Sequence, residues 1–395
     1  MHDILGQGGD RQPGPWPRRL AVIAALLLAA VVIVLHLPRH QRPPARPAGA
    51  AASQSPRPAA SQAAQPDGVI GQTLPWASGL RLPVAGEQPA WFWPASGRVK
   101  PIGGLPRDSF GYQFTAVAGG WAVQASPGAQ PACGGCAGPP RPVYFLADHA
   151  QSVTEVGLAN AVAPGAAPGT LWLSSYPAEA DTSVAAMARE VSVTGAPLGP
   201  QLKLPAGYAI DQATRQGLLL APVALQPGTT TDTLWDPAGQ QPGRTFDGVI
   251  AASASEIAWA PKCDPFCRVQ VLDLATGRHT TVDLPGASSA ANGAFSPDGD
   301  FLAIEVSIYN GGDDGALATM LDVASMASGR LTVVPHTFAS SDALAGFGWP
   351  TDGDSLVAEL SFTTKVQVAS WQPGATRLAV AAIRPGQDSD SLIVG

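Results

Sequence analysis

Two kinds of residue in this 395-residue chain could do chemistry by type and spacing: paired cysteines and short runs of oxygen ligands. Cys133 and Cys136 stand in ACGGCAG, Cys263 and Cys267 in KCDPFCR. Together, CxxC and CxxxC could hold a tetrahedral zinc through four thiolates, provided their loops meet. A redox CxxC sits at a helix start beside a βαβ unit, and no such unit is legible around Cys133. In an exported chain the favoured reading is two local disulfides, Cys133–Cys136 and Cys263–Cys267, each stapling the base of its own loop; reduced structural thiols are a further alternative. Asp313 and Asp314, with Asn310, could offer oxygen ligands to Ca²⁺. Their spacing departs from an EF-hand loop, and a solvated acidic loop accounts for them better.

Catalytic arrangements are harder to assemble. Gly353-Asp354-Ser355-Leu356 spells the block around one family of lipase nucleophiles, yet no His follows Ser355 in the chain. The tetrapeptide also aligns with Gly299-Asp300-Phe301-Leu302 as a hairpin turn. There is no GxSxG elbow, and the six His residues form no HxH or HxxxH pair. Of these, His149 and His279 are expected on exposed turns or outer strands. No catalytic residue is assigned and no cofactor is expected.

The elements that would position these groups are short strands. With 44 Gly, 39 Pro and 13% charged residues, long helices are disfavoured and strands joined by turns favoured. Net charge is −7 and the 23 basic residues form no stripe interleaved with aromatics, so nucleic acid is not an expected partner. Arg greatly outnumbers Lys, and Ala, Pro and Gly abound, as in GC-rich coding sequences such as those of actinobacteria.

At the N-terminus, LAVIAALLLAAVVIVL runs unbroken from Leu20 to Leu35, and His36 and Leu37 extend it. At 1.5 Å per residue the segment 20–37 just crosses a hydrocarbon core of about 30 Å. It ends in HLPRHQRPP, where a cleaved signal peptide needs small residues, so an uncleaved signal anchor is expected. Arg residues flank both sides alike, so charge alone does not orient it. The oxidising side inferred for the cysteines places 1–19 in the cytoplasm and the body outside. Residues 38–67, rich in Pro, Ala, Ser and Gln, read as a disordered tether.

From residue 68 to 395 one unit recurs near every 47 residues, the period of four-stranded propeller blades. Its third strand and turn read AWFWPASGRV, VYFLADHAQSV, VSVTGAPL, TLWDPAGQQ, VLDLATGRHT, MLDVASMASGR and ASWQPGATRL. The first hairpin is clearest in AFSPDGDFLAIEV, where Pro297 presets φ, Asp298 caps the turn and Gly299 takes the left-handed position. Eight tryptophans in strands or strand ends, among them Trp91, Trp259 and Trp349, are expected to fill the space between sheets. The units span about 69–102, 112–156, 163–204, 208–246, 249–284, 291–334 and 343–383. The expected fold is therefore all-β, a single propeller of seven four-stranded blades, with six or eight as alternatives. Ser391–Val394 would close it against the first blade.

FSPDGDFLAIEV resembles the signature of the TolB-like, WD40-like propeller repeat family, well over Ala294–Val306 and partly over Gly346–Leu360. The resemblance implies a propeller with mostly binding or scaffolding roles, and it carries no shared catalytic residues. The expected function is a membrane-tethered, extracytoplasmic, non-catalytic module binding an envelope protein or small ligand. A propeller hydrolase, lyase or sugar-active enzyme with a central-pocket site is the alternative. The loops between second and third strands are the longest, and their face is the expected working face.

Overall fold

Phe301–Tyr309 shows how the sequence pattern builds the molecule. Leu302, Ile304 and Val306 point to one side of the strand and pack in the core shared with the preceding sheet, whereas Ala303 points to the other and packs with the following one. A strand buried on both faces needs a sheet on each side. Repeated seven times, that requirement gives a ring.

A computed structural model describes residues 75–383, apart from 78, 86–87, 108–110, 126–137, 178–183, 224–230, 262, 264–265, 310–316, 336–338, 341–343, 351–354 and 363–364. The chain divides into two units, 1–57 and 58–395, and all described residues belong to the second. They form seven antiparallel sheets in chain order, at 82–101, 112–159, 161–203, 208–247, 249–284, 289–333 and 344–383. Five have four strands each, joined as simple meanders. The first shows three, and the sixth adds a two-residue strand, Ala339–Ser340, beside its third strand. Blade limits lie within a few residues of those expected except at the start of the first blade, expected at 69, whose first described strand begins at Leu82; residues 69–74 lie outside the described residues. The unit expected at 163–204 is a complete four-stranded sheet at 161–203.

Seven hydrophobic clusters hold the sheets together, and each joins one sheet to the next: 1 to 2, 2 to 3, 3 to 4, 4 to 5, 5 to 6 and 6 to 7. The seventh brings Leu82, Val84 and Phe92 of blade 1 against Val357 and Val368 of blade 7 and closes the ring. Closure is thus carried by side-chain packing; the expected closing strand at 391–394 lies outside the described residues. Tryptophans reinforce the seams as expected. Trp91 of blade 1 donates its indole N–H to the Ala150 carbonyl in blade 2, and Trp349 of blade 7 donates to Ala294 in blade 6, both at 3.0 Å. First strands of neighbouring sheets lie against one another, which places them innermost.

The inner strands differ around the ring. Those of blades 4, 5, 6 and 7 each carry a register shift, at Asp211, at Ile250, between Ala290 and Gly293, and at Ala345. Those of blades 1 to 3 run in unbroken register. A bulge adds twist and re-aims the side chain at the extra residue. The turn after blade 6's bulged strand forms as expected: the Ser296 hydroxyl bonds to Asp298 at 2.6 Å and accepts the Phe301 N–H, and Gly299 has φ +77°. Leu356 begins the second strand of blade 7 and its aligned counterpart Leu302 lies at the start of that of blade 6, which fits the hairpin reading of the GDSL tetrapeptide.

No helix among the described residues is long and apolar enough to cross a membrane. The expected anchor at 20–37 and the tether at 38–67 lie outside them.

Candidate functional site

The chemistry-bearing groups of the described residues gather at the junction of blades 4 and 5. Its core is apolar: Leu219, Leu234 and Phe246 of blade 4 meet Ile257, Leu272 and Leu274 of blade 5. Polar groups occupy the inner and outer ends of that seam.

At the inner end the bulge in Tyr208–Thr214 presents Asp211. Asp211 is exposed at the surface yet closely surrounded by protein atoms. The crowding raises its carboxyl above the ordinary carboxylate range. Asp232, on the third strand, is pushed up to about 6, first by burial and then by the charge of Asp211. The charge of Asp211 thus adds to the rise at Asp232, and a carboxyl that titrates near pH 6 can donate or accept a proton there.

At the outer end Arg244, Phe246, Trp259 and His279 meet. Phe246 is the register partner of Asp232, so the two ends are neighbours across one strand pair. The rings of Phe246 and Trp259 contact edge to face with centroids 5.1 Å apart, and Trp259 meets the His279 imidazole edge-on at 5.9 Å. The Arg244 guanidinium lies 5.3 Å from the Phe246 centroid and 5.5 Å from that of Trp259. Its Nη1 is 3.2 Å from His279 Nε2. Arg only donates, so in this contact Nε2 is the acceptor. Gly243 makes this placement possible: a Cβ there would stand 2.6 Å from the Leu234 carbonyl oxygen, beside the register shift between Thr233 and Trp235.

A third perturbed acid, Glu256, opens the second strand of blade 5 on its other side. Burial raises its carboxyl to about 7, with the charges of Asp273 and Asp300 adding to the rise and Arg278 opposing it. One of its oxygens is buried without a hydrogen-bond partner, next to Gly299 of blade 6.

Of the residues singled out from sequence, Cys263 and Cys267 are joined in a disulfide at the base of their loop. Phe266 stands 67% exposed inside it. Cys133, Cys136, Asn310, Asp313 and Asp314 lie outside the described residues. Among the described residues no group of three or more His, Cys, Asp or Glu side chains is placed to hold a metal. His149 is exposed, as expected. His279, also exposed, has the specific contacts above, which sequence reading missed. Two open clefts lie between blades: about 490 Å³ between 6 and 7, beside Phe301, Arg330 and Trp371, and about 330 Å³ between 3 and 4, beside Trp172, Arg215 and Asp236. Both open beside the short turns, on the face opposite the long loops.

Fold and side-chain geometry together define a seven-bladed β-propeller whose blade 4–5 seam carries polar groups at its margins. No family model and no curated protein matches the chain. Solved structures resemble it remotely. Hydrazine synthase of Kuenenia stuttgartiensis is 12% identical over 62% of this chain and 80% of that one, with TM-score 0.40. TolB from Acinetobacter baumannii is 9% identical over 76% and 63%, with TM-score 0.42. A prolyl endopeptidase is 15% identical over 75% and 46%, with TM-score 0.49. This chain therefore spans less than two thirds of the latter two, and likeness this remote transfers no activity, ligand or partner.

Proposed function

We propose that this chain is a membrane-tethered, extracytoplasmic propeller that binds a protein or small ligand of the cell envelope without chemically changing it. The observation that carries the reading is Phe266. An aromatic ring left largely in water, on a loop closed by the Cys263–Cys267 disulfide, is a pre-organised contact residue. It lies on the face of the long second-to-third-strand loops. The apolar segment 20–37 and the Pro/Ala-rich 38–67 support the tether, and the disulfide is in keeping with an oxidising compartment. Site-specific photo-crosslinking in native membranes tests this. Cross-links to one defined species from position 266, absent from position 158 on an outer strand, are the expected result; equal capture at both positions would sink the idea.

The Asp211–Asp232 pair favours a second reading, a propeller enzyme using the pair for acid–base work. Screening ester, peptide and glycoside substrates with Asp232→Asn as matched control decides it. Turnover that disappears in the variant supports catalysis, and turnover equal in both chains removes the pair from it.

A further inference from the structure

We infer that the rim of the blade 4–5 seam is a binding site for an oxyanion, a carboxylate or phosphate group, with Arg244 as its principal donor. This inference is independent of the binding or catalytic reading above, because it rests on different residues.

Three observations carry it. First, the guanidinium is held in place before any ligand arrives. Phe246 and Trp259 flank it, and His279 accepts one of its N–H groups, so its plane and azimuth are set by three side chains from two blades. Pre-organisation of this kind lowers the ordering cost of binding. Second, the charge is unspent. No carboxylate among the described residues pairs with Arg244; the ion pair seen there is Arg268–Asp283, further along blade 5. The nearby Asp247 is bonded to the Thr231 hydroxyl at 2.6 Å. Third, both Arg244 and His279 are exposed, so a ligand in solvent can reach them. Only one of its five N–H donors is used by His279, and the remaining fork matches the two oxygens of a carboxylate or phosphate.

A structural role alone explains these features less well. An arginine that merely covers apolar surface needs its aliphatic stem against the rings, and it does not need an imidazole acceptor on the next blade to fix its head. His279 therefore acts as a positioning residue: it engages Nη1 and leaves the other N–H donors of the guanidinium to a ligand.

The test is calorimetric titration of the purified full chain, at constant ionic strength, with sodium phosphate and with sodium acetate, against a sodium chloride blank. Saturable heat is expected with at least one of the two, and which is tighter tells phosphate from carboxylate as the preferred group. Arg244→Gln should weaken that binding about tenfold or more, and Arg244→Lys, which keeps the charge but loses the fork, by several-fold. His279→Ala should weaken it less than Arg244→Gln does. Thermal melting in chloride reports whether each variant is folded, and the lysine variant retains the comparison if the glutamine variant is not. No saturable heat with either anion, or equal affinities in the parent and both Arg244 variants, overturns the inference.

Discussion

Blade 5 packs Val269, Val271 and Val282 toward blade 6 and Ile257, Leu272 and Leu274 toward blade 4. Alternation along the same strands supplies both sets, yet the two seams differ. Toward blade 6 the packing is aliphatic and sulfur-rich, with Met320, Met326 and the buried Cys267 among its members and a single crowded carboxyl, Glu256, at its short-turn end. Toward blade 4 a narrower apolar strip ends in carboxyls on the inside and in a guanidinium, an imidazole and two rings at the rim. The difference teaches where a propeller can place polar chemistry. The middle of a seam is dry and must be apolar. Its margins touch water, so charged groups there cost little and remain available to a ligand.

Substitutions should separate the two seams by size of effect. Leu302→Ala, at the centre of the blade 5–6 seam and without solvent exposure, should cost about 3 kcal/mol by cavity formation, read as a lowered urea midpoint with unchanged slope. An unchanged midpoint would mean that the seam does not hold the fold together. Replacing Cys263 and Cys267 by Ser at the loop end of that seam should cost about 2 kcal/mol, the loop-closure entropy of so short a ring. Reductant should lower the melting point of the parent protein by at least as much as this substitution does.

Glu256 sharpens the comparison through pH. Its folded carboxyl titrates at about 7, above the ordinary 4.5, so the folded state binds the proton more tightly than the unfolded state. Its contribution is favourable below about pH 4.5 and is lost as pH rises to about 7. Glu256→Gln should flatten that decline and, discounted for the water that reaches the group, stabilise the protein above pH 7 by about 1 kcal/mol. A stability–pH curve of unchanged shape would remove Glu256 as its cause. Smallest of all, Arg244→Ala at the blade 4 rim should cost less than about 1 kcal/mol, the usual worth of an exposed cation–ring contact. A loss comparable to that of Leu302→Ala would show that the rim is a structural clamp and erase the distinction between the seams.

Blade limits were legible because each blade is a local meander whose turns must contain residues that bend the chain. Ser296–Asp300 is one example: it reads as a turn and forms one, for reasons contained in five residues. The Cys263–Cys267 bridge was legible for the same reason, since both ends lie in one loop. The polar seam was not. Arg244 and His279 stand 35 positions apart on outer strands of different blades, and their meeting depends on the angle between two sheets. Asp211 gains its character from a bulge, a one-residue shift in pairing that leaves no mark in composition or period. Asp232 gains its own from Asp211.

Closure of the ring has a kinetic consequence. Six of the seven seams join sheets that follow one another in the chain, but Leu82 and Val357 meet across about 275 intervening positions. A loop of that length carries the largest closure entropy in the molecule, and contacts so distant in sequence form late. The blades can therefore assemble in succession while the seam between first and last stays open. Until it shuts, two apolar sheet faces are bare, and the unfinished ring can dock on another of its kind. Refolding yield should fall as protein concentration rises, and a pulse of hydrogen exchange during refolding should find the amides of Leu82–Val84 and Lys365–Trp371 protected last.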